Sequence, residues 1–386
     1  MRVLILSCNT GEGHNSCGKA IQAAFQAKGI ACEMKDALRF VSPAFSKVMS
    51  WGHTRIYRYA PGLFRSGYQY AEVHNGMFEE AASIYKMLTS GTEQLYHFIQ
   101  DQDFDTIICA HVFSALMMTD VLRQYHPNLR TGFVATDYTC SPSCGESELD
   151  VYFIPDSSLR EEFAMCGVPK EKQIASGIPI RQEFFNYPDK AAARKHLGLP
   201  SDGCHLLIMS GSMGCGPIRK LVKHLATRLP DNCYVSVICG TNQKLRKQLE
   251  RDHAEQPRIH MYGFRKDIAT IMDSADLYLT KPGGISTSEA AQKKLPMVFV
   301  NAVAGCETYN LNFFVQQGSA ATANTPEELA TLAISLLLDD DKRKKMSASF
   351  CQADSQSAAE VICDYFIEQQ SAQTYKEQLL CPSVNR

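Results

Sequence analysis

Hydrophobic and polar positions along the chain form two alternating kinds of segment. Unbroken apolar runs of four to six residues recur, and amphipathic stretches with helical spacing separate them. Unbroken runs are typical of parallel strands that are covered by helices on both faces. The pattern therefore predicts a doubly wound α/β architecture, with strands at residues 2–7, 106–110, 130–135, 151–154, 205–210, 234–239, 277–280 and 297–300.

The alternation of strands and helices occurs in two sets, which predicts two domains. Amphipathic spacing predicts helices at residues 17–28, 77–100, 218–228, 243–253 and 285–293. A linker with one short helix is expected between the sets, at residues 186–203. We therefore expect an N-terminal domain at residues 1–185, a C-terminal domain at 200–350, and helices with a tail at 351–386.

Residues 40–75 differ from the rest because they lack a clean period. The segment and its edge carry five cations interleaved with aromatic residues, and there is no acid between Asp36 and Glu72. It is either an irregular helical excursion that packs its aromatics inward or an interfacial segment that faces anionic lipid. The residues concerned are Arg39, Lys47, Arg55, Arg58 and Arg65, with Phe45, Trp51, Tyr57, Tyr59, Phe64 and Tyr68.

Composition and charge exclude several classes of protein. Apolar residues make up 45% and charged residues 21% of the chain, which is typical of a globular protein. The net charge is −2, so no global field favours nucleic acid. The 15 cysteines are scattered and form no C-x-x-C pair, which favours reduced thiols. With no signal-peptide pattern and no apolar run of about 18 residues, we expect a cytoplasmic protein that does not span a membrane.

Three glycine-rich turns follow predicted strands, at residues 9–14, 210–214 and 281–290. The first turn lacks the third glycine of the dinucleotide-binding motif G-x-G-x-x-G, so it is weak evidence for a dinucleotide-binding site. Backbone N–H groups at a helix start suit a diphosphate, and ligands of open α/β sheets bind at the carboxyl ends of the strands. The turns are therefore expected to line a ligand cleft in both domains.

Several motifs together carry a family resemblance: G-E-G-H, T-D-Y-T-C-S-P, G-I-P-I-R, S-G-S-M-G, Y-G-F, K-P-G-G-I-S-T-S-E-A and A-G-C-E-T-Y-N. To about residue 370 the chain resembles the diacylglycerol glycosyltransferases, which comprise processive diacylglycerol glucosyltransferases and monogalactosyldiacylglycerol synthases. They are relatives of the enzyme that adds N-acetylglucosamine to the lipid-linked peptidoglycan precursor. The resemblance implies a GT-B-type fold of two Rossmann-like domains facing a central cleft, with the UDP-sugar in the C-terminal domain and the acceptor in the N-terminal domain.

The resemblance also implies roles for individual residues. It places residues 211–214 against the donor diphosphate, the turn at 262–265 on the uracil, and Glu289 on the ribose. The pair at 306–307 matches residues that contact the sugar hydroxyls, and Asn310 points the same way. Cysteine stands at 306, where the family often has glutamine, so the sugar stays open. The resemblance and the turns assign to the donor Gly211, Ser212, Met213, Gly214, Phe264, Arg265, Pro282, Gly283, Gly284, Ser286, Thr287, Glu289, Cys306, Glu307 and Asn310.

Two residues are candidates for the general base. By the resemblance, His14 lies on the acceptor-domain loop near the anomeric centre, where a neutral imidazole accepts the proton of the acceptor hydroxyl. Asp137, at the end of a predicted strand, matches a carboxylate proposed for the same role, and the choice stays open. Residues 101–103 form a D-x-D sequence, the metal-binding signature of the other large glycosyltransferase fold, where it follows a strand. Here it precedes the strand and so lies at the end of the sheet opposite to the cleft. We therefore expect no catalytic metal and no cofactor, with helix N-termini and backbone amides stabilising the departing UDP.

The function expected from the resemblance is inverting transfer of glucose or galactose from a UDP-sugar to diacylglycerol. The enzyme would act peripherally at the inner face of the cell membrane. Alternatives are a different lipid acceptor of the polyprenyl type, a UDP-sugar-binding regulator without activity, and a UDP-sugar epimerase. The presence of both His14 and Asp137 argues against the regulator. An epimerase would need no lipid-facing segment, so residues 40–75 argue against it.

Overall fold

The computed structural model describes residues 1–9, 11–60, 62–63, 66–67, 70, 82–211, 214, 216–300, 305–350 and 356–380. Within these ranges, the side chains of residues 53–54, 57–59 and 373–380 are not described. The chain divides into two compact units. The first comprises Met1–Ile56, Ser66–Arg181 and Ser355–Arg386, and the second comprises Tyr57–Arg65 and Gln182–Asp354.

The first unit contains a six-stranded, all-parallel sheet in the order β2-β1-β3-β4-β5-β6. Its strands are β1 Arg2–Ser7, β2 Ala31–Asp36, β3 Thr106–Cys109, β4 Arg130–Val134, β5 Val151–Ile154 and β6 Gln173–Ala175. Its helices are α1 Glu12–Ala27, α2 Leu38–Val41, α3 Pro43–Tyr59, α4 Ser83–Thr89, α5 Thr92–Asp101, α6 Val112–Tyr125 and α7 Arg160–Met165. Strands β3 and β5 are buried along their whole length, as expected for parallel strands covered on both faces.

The second unit also contains a six-stranded parallel sheet, in the order β12-β11-β10-β7-β8-β9. Its strands are β7 Cys204–Met209, β8 Cys233–Ile238, β9 Ile259–Tyr262, β10 Leu277–Thr280, β11 Met297–Phe299 and β12 Ala320–Thr322. Its helices are α8 Lys190–His196, α9 Ile218–Ala226, α10 Gln243–Asp252, α11 Ile268–Ser274, α12 Gly284–Gln292, α13 Cys306–Gln317, α14 Pro326–Leu338 and α15 Asp340–Ala348.

In each sheet the strand order reverses at one place. The reversal lies between β1 and β3 in the first sheet and between β7 and β10 in the second. Adjacent connections leave such a point on opposite faces of the sheet, which opens a crevice at the carboxyl ends of the two strands. The fold therefore offers one ligand crevice in each unit.

The core of the second unit shows why helices cover this sheet. Leu206, Ile208, Val235 and Leu279 on the strands are buried against an apolar stripe of α9 and against α14. Burying each such side chain contributes about 1.5–3 kcal/mol. Helix α14 begins with a capping box between Thr325 and Glu328 and with proline in its first turn, so its start is well defined.

The C-terminal helix α16 (Ala358–Leu380) belongs to the first unit rather than the second. It packs on α1, and Lys28 forms an ion pair with Asp364. A Cβ added at Gly132 on β4 would lie 2.8 Å from the ring of Phe366, so only glycine leaves room for this ring. Among the helices that the structure describes, none is both long and apolar enough to cross a membrane.

The predicted pair of doubly wound α/β domains is confirmed, and all eight predicted strands are present with bounds that agree within one residue. Two helix predictions were wrong. The described part of the segment predicted as one helix at 77–100 forms α4 and α5, which are separated at Gly91. A Cβ there would lie 2.5 Å from the backbone of Phe40, so this close approach needs glycine. Helix α1 begins at Glu12 rather than at residue 17, so His14 lies in a helix and not in a loop.

Candidate active site

The first crevice is built where β1 runs into α1. Gly11 is the extended N-cap residue of α1, and Glu12 places a carboxylate in the first turn, where it interacts favourably with the helix dipole. Ser7 Oγ donates to Asn15 Oδ1 across 2.9 Å, which ties the strand end to the helix. His14 is the third residue of α1 and is therefore held on a regular element.

The protonation of the His14 ring follows from its contacts. His14 Nδ1 lies 3.0 Å from the carbonyl oxygen of Ala110, which follows β3. A carbonyl oxygen only accepts hydrogen bonds, so Nδ1 carries the proton. Thr136 Oγ1, after β4, lies 3.1 Å from the same nitrogen. In the neutral ring Nε2 is then the nitrogen with a free lone pair, and it is able to accept a proton.

The environment keeps the His14 ring neutral at physiological pH. Burial of the ring lowers the pKa of His14 from 6.5 to about 4, and the hydrogen bond to Ala110 acts in the opposite direction. A cationic imidazole cannot accept a proton. The low pKa therefore keeps His14 in the neutral form that is able to act as a base.

A second imidazole lies beside the first. The ring centroid of His111 is 4.5 Å from that of His14, with an edge-on interplanar angle of 67°. His111 is the N-cap residue of α6, and its Nδ1 accepts the backbone N–H of Phe113 across 3.0 Å. Sequence reasoning missed this residue. The signal was present, because His111 directly follows an apolar run at the carboxyl end of a strand that neighbours β1.

Asp137 lies three residues beyond the end of β4 and is half-buried. Its neighbour Thr136 contacts His14, so the structure brings the segment of Asp137 to the same crevice. The two candidate bases predicted from the sequence therefore lie on adjoining parts of the first unit.

The second crevice is built from the turn after β7. Gly211 and Gly214 both have positive φ, at 65° and 55°, and the N–H of Gly214 donates to the carbonyl oxygen of Gly211. A Cβ at Gly214 would lie 2.7 Å from the carbonyl oxygen of Cys239, so this position requires glycine for space as well as for conformation. Ser212 and Met213, predicted for the same turn, lie outside the described residues.

The turn after β10 meets the turn after β7 through Lys281. A Cβ built on Gly211 would lie 2.9 Å from Lys281 Cε, and Lys281 Nζ forms a 2.9 Å ion pair with the buried Glu307. Asn310 Nδ2 donates to the carbonyl oxygen of Pro282 across 2.9 Å. The structure therefore brings together four of the residues predicted for the donor. Lys281 was absent from the predicted donor set, although a lysine that directly follows a strand was the available signal.

Helix α12 starts in the same crevice. Gly283 is its extended N-cap residue, and Ser286 Oγ and Thr287 Oγ1 both donate to the carbonyl oxygen of Gly283. Both hydroxyl protons are therefore used in hydrogen bonds within the helix. An anion at the start of α12 would bind instead to the backbone N–H groups of the first turn, which have no intrahelical partner. Glu289 follows on the same helix and is buried.

The remaining predicted donor residues are those that follow β9 and the first residue of α13. Phe264 and Arg265 follow β9, the edge strand, which β8 separates from β7. Phe264 is exposed, and Arg265 forms a two-point ion pair with Asp267 that lowers the pKa of this carboxyl to about 2. Cys306 is half-buried as the first residue of α13.

No group of three His, Cys, Asp or Glu side chains within the described part of the chain is placed to hold a metal ion. In the D-x-D sequence, Asp101 ends α5 and Asp103 lies in the turn before β3, at the amino end of the sheet. The metal-free mechanism stays a prediction.

Comparison with known proteins matches two families to the two units. Residues 14–180 match "Monogalactosyldiacylglycerol (MGDG) synthase", and residues 218–349 match "Glycosyl transferases group 1". The processive diacylglycerol beta-glucosyltransferase of Bacillus subtilis is 26% identical over 98% of this chain and 97% of its own length. The protein of the same name from Bacillus licheniformis is 26% identical over 97% of both chains.

Solved structures with similar folds cover almost the whole chain. MurG of Acinetobacter baumannii superposes with a TM-score of 0.64 at 14% identity, over 95% of this chain and 99% of its own. The MnaA–UDP structure from S. aureus has a TM-score of 0.60 at 13% identity, over 96% of this chain and 97% of its own. At these identities the likeness shows the fold, and the predicted GT-B-type α/β fold is confirmed.

The fold and the two matched regions define a glycosyltransferase, as predicted. More particularly, its N-terminal part is similar to the monogalactosyldiacylglycerol synthases and its C-terminal part to the group 1 glycosyl transferases, and the chain resembles the processive diacylglycerol beta-glucosyltransferases along its length.

Proposed function

We propose that this enzyme transfers a hexose, glucose or galactose, from a UDP-sugar to diacylglycerol with inversion, at the inner face of the cell membrane. The names of the relatives and of the N-terminal domain support the lipid acceptor and the sugar class. One observation carries the chemistry: the carbonyl oxygen of Ala110 lies 3.0 Å from Nδ1 of His14, which leaves Nε2 as the proton acceptor of a ring whose pKa is lowered by burial.

The proposed reaction is a single displacement. The acceptor hydroxyl oxygen attacks the anomeric carbon while His14 Nε2 takes the hydroxyl proton, and the bond from that carbon to the UDP oxygen breaks. Attack opposite to the leaving group inverts the anomeric centre. Asp137 is the alternative base, because its segment reaches the same crevice through Thr136.

On the donor side, we propose that the diphosphate lies between the glycine turn after β7 and the start of α12. Lys281 is a cation at the contact between the two turns, and the first-turn N–H groups of α12 add donors. These groups would stabilise the departing UDP without a metal or a cofactor. We retain the predicted roles of Glu289 on the ribose and of the 306–310 segment on the sugar.

The membrane part of the proposal rests on α3 and on the residues that follow it. Val48, Trp51 and Leu63 are 60–64% exposed, so the inward-packing interpretation does not hold for Trp51. The guanidinium carbon of Arg55 lies 4.6 Å from the Trp51 ring centroid. An exposed aromatic beside a cation suits the headgroup region of an anionic membrane. Tyr57, Arg58, Tyr59, Phe64, Arg65 and Tyr68 lie outside the described side chains.

Further cations lie on α3 and beside it. Lys19, Arg39 and Lys47 line one pocket beside β2, and within the described ranges no carboxylate forms an ion pair with any of them. Asp36, in the same pocket, instead accepts hydrogen bonds from Ser46 Oγ and from the N–H of Leu38. The three cations outnumber Asp36 in this pocket, so the surface has a net positive charge that suits an anionic partner.

The test is incubation with diacylglycerol vesicles and radiolabelled UDP-glucose or UDP-galactose, followed by lipid extraction, with the His14→Ala variant as control. Label in extracted diacylglycerol glycolipid, and its loss in the variant, is the expected result. A parallel incubation replaces diacylglycerol with a polyprenyl phosphate. Label only in that parallel incubation would change the acceptor, and an epimerised sugar nucleotide without labelled lipid would replace the function.

A further inference from the structure

His111 occupies a fixed place at the end of β3. As the N-cap residue of α6, it uses Nδ1 to accept the N–H of Phe113 across 3.0 Å, and its own carbonyl oxygen accepts from Ser114 Oγ. Ser114 Oγ also lies 3.0 Å from the carbonyl oxygen of Leu6 on β1. The Phe113 ring contacts the His111 ring at a centroid distance of 4.7 Å. The position of the His111 ring is therefore determined by the cap and by packing.

The two residues at the end of β3 hold His14 in different ways. Ala110 supplies the carbonyl oxygen that accepts from His14 Nδ1–H, and His111 supplies a ring that meets the His14 ring edge-on at 4.5 Å. The contacts of Ala110 and Thr136 both act on Nδ1 and leave the far side of the imidazole unsupported by either of them. The ring contact at an angle of 67° restricts the tilt of the imidazole plane.

We infer that His111 is a positioning residue for His14: its ring fixes the plane of the His14 imidazole and with it the direction of the Nε2 lone pair. The inference rests on the proposed role of His14 as the base. A base must be oriented closely to accept a proton in the transition state, and a misplacement of about 1 Å costs about a hundredfold in rate. His111 itself need not touch either substrate.

Two substitutions separate the ring of His111 from its cap. In His111→Asn, the amide oxygen still accepts the N–H of a helix start, because asparagine is a favourable N-cap residue, but the ring is lost. In His111→Phe, a ring remains and the cap acceptor is lost. We expect His111→Asn to lower kcat about tenfold or more, with the KM for the UDP-sugar and the melting temperature close to wild type. His111→Phe should restore much of the lost kcat while lowering the melting temperature.

A double-substitution cycle with His14→Ala tests whether the effect passes through His14. In that background His111→Asn should cause no further loss of kcat, because there is no imidazole left to orient. If the losses of kcat in the two single variants multiply in the double variant, the inference is overturned. Wild-type turnover of His111→Asn would also overturn it when His14→Ala is inactive. If His14→Ala itself keeps wild-type turnover, the proposed role of His14 fails and that of His111 fails with it.

Discussion

The chemistry of His14 depends on partners that are distant in sequence. A histidine in a glycine-rich turn after a strand could be predicted as a candidate, but its tautomer could not. The groups that fix the Nδ1 proton, Ala110 and Thr136, lie 96 and 122 residues away along the chain. Only the pairing of β1, β3 and β4 brings them together. The same limit explains why His111 was missed, since its importance comes from its contact with His14.

Substitution of the two candidate bases should separate their roles. His14→Ala is expected to lower kcat about a hundredfold or more, because the proton of the attacking hydroxyl loses its acceptor. Asp137→Ala should have a comparable effect only if the carboxylate is the base, and the affinity for UDP should change little in both variants. Steady-state kinetics and UDP titration measure the two quantities. Near-native turnover of both variants would contradict the assignment.

The low pKa of His14 predicts where activity falls in acid. With a pKa of about 4, the ring stays neutral well below the ordinary histidine range, and the acid limb of kcat/KM, which reports the free enzyme, should lie near pH 4. Measuring kcat/KM between pH 4 and pH 8 in buffers of constant ionic strength tests this. An acid limb near pH 6.5 would mean that the ring is solvated and that its environment is different from the one described.

His205 on β7 gives a pH effect on stability rather than on rate. It is buried between Ser236 Oγ at 2.8 Å and Ser274 Oγ at 3.0 Å, and burial lowers its pKa to about 4. The pKa of His205 is lower in the folded state than in the unfolded state. Its contribution to the free energy of unfolding is therefore present above pH 6.5 and is lost as the pH falls towards 4. By linkage, titration of this residue lowers the free energy of unfolding by roughly 2 kcal/mol between pH 7 and pH 5. Urea unfolding at pH 7 and pH 5 measures the decrease in the free energy of unfolding between the two pH values. This decrease should be smaller in His205→Gln than in the unchanged protein by that amount, and an equal decrease in both proteins would contradict the burial effect.

At the scale of elements, the predicted strands differ from the missed ones by their place in the sheet. The four missed strands, β2, β6, β9 and β12, are the four edges of the two sheets. An edge strand has a neighbour on one side only and tolerates polar residues, as in the sequence ACEMKD of β2. Such strands show no unbroken apolar run. The central strands show one because both of their faces are covered, so periodicity identified the sheet centres and not their borders.

Helix α3 allows the membrane proposal to be tested. Changing Arg55, Arg58 and Arg65 together to serine should weaken co-sedimentation with phosphatidylglycerol vesicles, since each cation near an anionic surface contributes about 1 kcal/mol. Three cations correspond to a loss of roughly a hundredfold in partitioning. Higher salt should weaken binding of the unchanged protein.

A matched control removes the same charge from another exposed helix, with Lys342, Lys344 and Lys345 on α15 changed to serine. This control should sediment like the unchanged protein. Equal effects of the two triple variants would show that net charge alone governs binding. Wild-type sedimentation of the arginine variant would mean that the segment at residues 40–75 does not face the lipid.

For the whole molecule, both turns of the proposed donor site lie in the continuous stretch 182–354 of the second unit. UDP should therefore raise the melting temperature in the presence of a chelator, because a ligand bound by the folded state alone stabilises it, by about 2.7 kcal/mol at a hundred times its Kd. Lys281→Met should reduce the shift, and Lys281→Arg should retain more of it because the positive charge remains. A shift that requires magnesium or manganese would contradict the metal-free donor site.

The first unit is assembled from stretches that lie far apart in the chain, and this has a consequence for synthesis. When residues 1–181 have left the ribosome, α16 does not yet exist, so β4 and β5 lack the cover that Tyr365 and Phe366 provide. The second unit, by contrast, has its continuous stretch 182–354 complete before residues 358–380 emerge. Part of the first sheet therefore stays uncovered until α16 is made, after the continuous stretch of the second unit is complete. The strands of the first unit are made first, but this unit is the last to be completed.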